Sequence, residues 1–522
     1  VLGAVRVSAR YRAPAEDGGL LADPPLDRLG DQLSANSQLL NTSSVRISGV
    51  PLAEFRSRAA AEVLEAATQY LAEGGEPAPS AQSRLLLAGH QPDFFHPGVW
   101  VKKFVLHAQA ERHGLAPLNL VVDNDLVKSA ALRVPVVSDD PVRVTSIPLA
   151  FDRPEGNRPH EEYGVVDRSL FDSFPARLAE HASAWGFDPL AKAIWPRIGI
   201  ELDRGATLGT AASRVRRSLE RQWGVTNFEL PVSRLAETRA FAGFLFTILS
   251  NLPRFVDCYN AAIRQFRAVN RVRSRNHPAP DLQVRGDLFE APFWVWRPGS
   301  AGRERLFVNA VNRSLLAGNT PIGRLAARPD EFIAGWRGAL NEWNVRPRAL
   351  TLTLFCRVCL GDGFIHGIGG GIYDQVTDEI IRRFFGIDPP GYAVVSATLR
   401  LPLPRFPSTA DDLRRAARRV RDLEWNPQRF GAAARVPQLV ARKSELVTAP
   451  QDGKMARRRR FRDLQRLTRE LRPAVSGELA EAEAHLDRIR AELSGNEILA
   501  SREYAWPLFP EGMLRDFFAR FR

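Results

Sequence analysis

Residues 84–128 alternate apolar runs and polar turns in the rhythm of a β-loop-α-β unit. An apolar run, Leu85 to Leu87, meets the turn Gly89-His90-Gln91-Pro92. A helical stretch then starts near Gly98 and stops near Gly114, and a second apolar run, Leu118 to Val122, ends in Asp123-Asn124-Asp125. Residues 349–385 repeat the logic: apolar residues 349–360 take the strand's place, HGIGGG (366–371) follows, and Tyr373 to Phe385 read as a helix. In open α/β sheets, ligands sit outside the carboxyl ends of the strands. Two such loops in one chain point to an α/β fold with a Rossmann-like core.

The flanking pattern divides the chain further. Residues 1–83 read as an N-terminal arm and helix: Leu20 to Leu40 is loop-rich, 51–73 is a strong helix of Ala, Leu and Glu, and 74–83 (GGEPAPSAQS) is a linker. Residues 84–405 form the α/β core with inserted helical and hairpin segments. Within it, 214–223, 236–252 and 254–270 are helical by pattern, and 284–309 read as a β-hairpin. After residue 405 the composition shifts. Residues 406–500 begin with a capping signal at 408–412 and carry Leu464, Leu467 and Leu471 at helical spacing, which predicts a helical coiled-coil arm. Residues 501–522 are aromatic and are expected to dock on the core as a C-terminal tail.

Composition changes this picture little. At 522 residues the chain has room for two or three domains, and 44% hydrophobic with 25% charged residues is ordinary for a globular protein. No apolar run approaches the ~20 residues of a membrane span. The first residues, VLGAVRVSARYRAP, show no secretory signal pattern, so a cytoplasmic protein with no membrane partner is expected. The net charge of +13 suggests nucleic acid, but only six of the 72 basic residues are Lys and the arginines are scattered, so nucleic acid is not the expected partner. Arg457 to Arg460, a run of four, reads as a solvated helix face. Three cysteines, Cys258, Cys356 and Cys359, form no disulfide framework, and Cys356-x-x-Cys359 sits in an apolar run as packing. No metal site is expected: His90, His96, Asp123 and Asp125 form no tight ligand motif.

The chemistry sits in the loops. His90 and His96 can donate to a phosphate or carboxylate at the start of a helix whose N–H groups are unpaired, and Gln91 can donate and accept. This His-bearing loop resembles the first loop of nucleotidyltransferase-type Rossmann proteins. Asp123, Asn124 and Asp125 close a strand, where an acid-amide-acid run can hold an amine, a ribose or Mg2+; Lys128 lies three residues on. His366, Gly369, Gly370 and Gly371 allow a ligand to approach the backbone, with Tyr373 on the first turn. Arg275, Asn276 and His277, with Arg271 and Arg273, form a polar cluster suited to carboxylate or phosphate. Asp123, Asp125, His90 and His96 are the catalytic candidates; Gln91, Asn124, Lys128, His366, Gly369, Gly370, Gly371, Tyr373, Arg275, Asn276 and His277 are the substrate-binding candidates.

AGHQPDFFHPGVW, LNLVVDND and FIHGIGGGIYDQVTDEIIRRFFGIDPP, in this order, resemble the bacillithiol biosynthesis family that adds cysteine to glucosaminyl-malate. That family carries a Thr-Gly-Gln-Gln loop, a strand ending in Glu-Asp-His-Asp, and a late Val-Gly-Gly-Pro-Gly loop. Gln91 is retained, His90 stands where the family has Gln, His96 replaces Thr, and the acidic signature is shortened at Asp123 to Asp125. The resemblance implies a Rossmann-like core, a homodimer through the helical arm, and carbon–nitrogen bond formation between an amino acid, cysteine in the family, and an amine-bearing small molecule. Asp123 or Asp125 would then orient or deprotonate the amine. An unactivated carboxylate forms no amide readily, so such an enzyme uses ATP or a pre-activated donor; ATP or ADP and Mg2+ are the cofactor candidates, and the chain has no P-loop. The alternatives are a nucleotidyltransferase-like enzyme that adenylates a small acid, and a non-catalytic protein that binds a nucleotide-like ligand.

Overall fold

The structure is a computed structural model, and it describes residues 11–80, 82–139, 142–153, 156–300, 302–339, 342–450 and 453–522. Its centre is a six-stranded sheet. In chain order the strands are β1 (Leu20–Asp23), β2 (Leu85–His90), β3 (Ala116–Val121), β4 (Phe228–Pro231), β5 (Gly363–His366) and β6 (Ala393–Ala397). Their order across the sheet is β1-β6-β5-β2-β3-β4. All neighbours are parallel except β1, which pairs antiparallel with β6. The chain therefore runs from β2 through β3 to β4, then returns to the other side of β2 for β5 and β6.

Alternation along β2 explains why the strand is central. Leu85 and Leu87 enter one apolar core, Leu86 and Ala88 the other, so the strand is covered on both faces. Helices α1 (Leu52–Glu73), α2 (Pro97–His113), α3 (Leu208–Gln222), α4 (Arg239–Ser250), α5 (Leu252–Val269) and α6 (Ile368–Ile380) supply the two layers. Residues of α1, α4, α5 and α6 share the core of Leu85 and Leu87, whereas those of α2 and α3 share that of Leu86 and Ala88. A second, antiparallel sheet holds Leu288–Trp296, Glu304–Asn309, Ser314–Ala317, Thr320–Arg324 and Asn344–Pro347, so the expected hairpin is one part of a larger element.

Helices α7 (Ala410–Trp425), α8 (Pro437–Thr448), α9 (Lys454–Leu471) and α10 (Ser476–Leu499) follow. Thr409 and Asp412 form the capping box that opens α7. Asn496 hydrogen-bonds both backbone groups of Phe406, and Arg472 reaches the Glu424 carbonyl at 3.1 Å, so α7 and α10 run antiparallel. Leu413, Ala416 and Val420 pack there on Leu486, Ile489 and Leu493 of the same chain. The tail returns to the core: the Phe518 ring stacks on Phe104 at 4.1 Å and Trp506 lies 4.8 Å from Trp100.

Three expectations need correction. The loop-rich reading of Leu20 to Leu40 misses β1 and the helix Leu29–Asn41, because four residues on a sheet edge and an Asn/Ser-rich helix carry weak local signals. Residues 349–360 are no strand: Ala349–Leu354 is α-helical and Phe355–Leu360 widens into a π-turn, with the strand following at Gly363. A short apolar run does not distinguish the two states. The helix read from Tyr373 begins at Ile368, with the glycines inside its first turn.

A buried charge network ties the layers together. Glu229 on β4 accepts bonds from Arg216 and Arg217 of α3 and from Asn119 of β3 at 2.7 Å, with Lys103 Nζ of α2 at 3.6 Å. Arg217 also pairs with Glu76, so the expected linker is pinned to the core. Arg216 holds Glu220 at 2.7 Å, and Glu220 accepts the Trp100 indole N–H at 2.6 Å. Removing one partner from such a network leaves buried charge unpaired. Glu229→Ala is expected to cost about 3–5 kcal/mol of stability, read by urea denaturation. Burial and the neighbouring Arg216 charge lower Lys103 to about 7. The unfolded chain therefore binds more protons than the folded one between about pH 7 and pH 10. Stability is expected to gain from Lys103 as pH rises through that window, and Lys103→Met should flatten the gain in pH-dependent melting.

Candidate functional site

The order in which strands are added to the sheet reverses between the parallel neighbours β2 and β5, and helices α2 and α6, which follow these strands, pack on opposite faces of the sheet. The His90 turn, the Asp123 to Asp125 turn and the HGIGGG turn follow adjacent parallel strands, so all three stand at one edge of the sheet.

The Asp125 carboxylate is the hub of the first cluster. Gln91 Nε2 donates to it at 3.2 Å, the Leu126 N–H at 3.0 Å and Arg303 at 3.3 Å. Burial pushes Asp125 up, but the Gln91 bond and the Arg303 charge outweigh it and hold the group below the usual carboxylate range. Asp93, half-exposed in the same loop as Gln91, lies 3.4 Å from His160 Nε2. Burial and nearby Asp125 raise Asp93 while His160 opposes them, and burial lowers His160. Lys128 is exposed, and its charge acts on Asp93, Asp125 and His160. The pairing of Leu126 with Pro159 and the bonds from His160 N to Asp125 O (2.9 Å) and Glu161 N to Asp123 O (2.8 Å) bring residues 159–162 here. Glu161 is raised to about 7 by burial, against the pull of Arg346, its partner at 2.9 Å. Arg303 and Arg348 lie over the Trp294 ring, at 4.8 and 4.3 Å, so the second sheet forms one wall.

Other candidates hold the frame. Asp123 accepts from Ser233 N at 2.9 Å and from the Ser233 hydroxyl, and burial pushes its carboxyl up. Asn124 Nδ2 donates to Pro347 O at 2.9 Å, and its own carbonyl accepts from Arg303. His90 Nδ1 faces the Gln91 carbonyl at 3.0 Å; a carbonyl only accepts, so Nδ1 carries the proton and Nε2 is left as an acceptor. Burial and Lys102 lower His90 to about 3, so the ring is neutral. His96 engages the tail: its Nε2 lies 3.4 Å from both Glu503 and Arg502.

The Gly-rich turn is built on a buried chain of charge. His366 Nε2 lies 2.9 Å from Asp374, and Arg357 pairs with Asp374 and Asp378, each at 2.6 Å. Gly367 caps α6 without a side-chain bond. A Cβ at Gly370 would meet His366 Nδ1 at 2.8 Å and one at Gly371 would meet Val394 at 2.3 Å, whereas Gly367 and Gly369 face open space. Tyr373 is exposed and its ring meets His277 at 5.2 Å, which brings the loop of Arg275, Asn276 and His277 to this helix start. Arg267 holds that loop by its backbone, at 3.0 Å to His277 O.

Sequence reasoning missed Asp93, His160, Glu161, Arg303 and Arg346. Asp93 lies inside the loop already singled out; the others come from segments whose approach depends on tertiary pairing. The glycines separate packing from access. Gly371→Ala and Gly98→Ala, whose new Cβ would sit 2.1 Å from Ala397 O, should lower the melting temperature, while Gly369→Ala should leave it unchanged. No family model matches the chain, and no curated protein matches it.

Proposed function

We propose that the carboxyl ends of β3, β2 and β5 carry the active site of a carbon–nitrogen ligase on a Rossmann-like core, joining an amino acid to an amine-bearing small molecule. The observation that carries this reading is the pair of unlike carboxyl groups at the ends of β2 and β3: Asp125, bonded by Gln91 and Arg303 and held ionised, and Asp93, half-exposed 3.4 Å from His160 and raised by burial and nearby Asp125 against the pull of that histidine. An ionised carboxylate receives the substrate ammonium, and a carboxylate of higher pKa takes the proton that the amine gives up on attacking an acyl carbon. Cysteine as the amino acid rests on the resemblance to the bacillithiol family. A cytoplasmic setting fits the three free thiols. Homodimerisation through the arm, as a coiled coil, likewise rests on that resemblance, since the apolar positions of α7 and α10 close on each other within one chain.

The uncapped start of α6, open at Gly367 and Gly369, is the place for an anionic group of the donor. That feature also favours the second reading, a nucleotidyltransferase-like enzyme with ATP or ADP and Mg2+ at this helix start. The binding-only alternative predicts ligand binding without turnover. Asp125→Asn is expected to lower turnover of amino acid, amino sugar and ATP with Mg2+, the nucleotide activating the carboxylate and leaving as the amide forms, about 100-fold, measured by mass spectrometry of the condensed product, with the far-ultraviolet circular dichroism of the wild type retained. Turnover that survives Asp125→Asn, or ATP–pyrophosphate exchange without condensation, would overturn the ligase reading.

A further inference from the structure

Helices α8 and α9 pack against each other, and Arg460 ties them by donating to the Val447 carbonyl. Their tip combines two features, exposed apolar side chains and a run of cations. Three of the ten large hydrophobic side chains exposed among the described residues lie here: Val447 at 51%, Met455 at 73% and Phe461 at 60%. Around them stand Lys454, Arg457, Arg458, Arg459 and Arg462, none of which forms an ion pair among the described residues. Along α9 eight basic residues face two acidic ones, Asp463 and Glu470. The first two turns of α9 are exposed on nearly every side, so the apolar side chains gain nothing from the protein itself.

We propose that this tip is a docking surface for an anionic lipid bilayer. Apolar side chains beside cations without ion pairs among the described residues match an interface in which acyl chains lie just beneath anionic phosphates. A nucleic-acid duplex would meet the arginines but leave Val447, Met455 and Phe461 in water. No helix among the described residues is long and apolar enough to cross a membrane, so the contact is peripheral. The surface shares no residue with the proposed active site, so this inference stands or falls independently of the ligase reading.

The test is co-sedimentation of the full chain with phosphatidylcholine vesicles and with mixed phosphatidylcholine–phosphatidylglycerol vesicles, with duplex DNA as competitor. Binding is expected only to the anionic vesicles and should weaken with salt. The double substitution Met455→Ser, Phe461→Ser should weaken it about tenfold or more, Phe461→Trp should retain it, and Arg457→Glu with Arg458→Glu should abolish it. These positions are exposed, so melting should stay unchanged. Absence of binding to anionic vesicles would overturn the proposal. So would binding that the serine substitutions leave intact, or displacement by duplex DNA with equal loss in wild type and the serine variant.

Discussion

Strand β2 is the constraint on which the rest depends. It is hydrogen-bonded to β3 on one side and β5 on the other, and its alternate side chains feed both apolar cores. A strand committed on two edges and two faces has one place where its polar continuation can go, the space beyond its carboxyl end. The turn Gly89-His90-Gln91 lies there, and the return of the chain to β5 puts the HGIGGG turn next to it. The candidate site follows from this strand order more than from any single residue.

Charge then decides which polar groups can act. Inside the frame, acids are saturated with donors: Glu229 by two arginines and an amide, Asp362 by Arg56 at 2.6 Å and by Arg84, and Asp123 by Ser233. These groups fix distances between layers, and their loss would leave unpaired charge rather than an open site. At the carboxyl ends of β2 and β3 the balance differs. Asp93 is half-exposed with one histidine neighbour, and Asp125 keeps partial access beside an exposed lysine. Groups with access and unequal proton affinity are the ones able to exchange protons with a ligand.

Much of this was legible in the sequence wherever a signal is local. Pro97 and Gly114 bracket α2 as a helix-start proline and a left-handed cap, and the Thr409–Asp412 capping box starts α7. The strand-end turns were visible as apolar runs meeting Gly, Asp and Asn. What was not legible depends on pairing across long separations. Leu20–Asp23 is a strand because β6 offers an edge, residues 349–360 are helical and the strand starts only at Gly363, and His160 and Arg303 reach Asp93 and Asp125 through elements 35 or more residues from Asp125. His90, prominent in the sequence, proves to be a neutral ring held by its neighbour's carbonyl.

The most direct measurement of the central claim is hydrogen–deuterium exchange of the full chain with and without cysteine, an amino sugar and ATP with Mg2+. Ligand seated at the carboxyl ends of β3, β2 and β5 predicts slowed exchange at residues 89–96, 123–128 and 366–371 together. Slowed exchange confined to another region, such as the groove lined by Leu315, Leu325, Phe332 and Trp336, would contradict it.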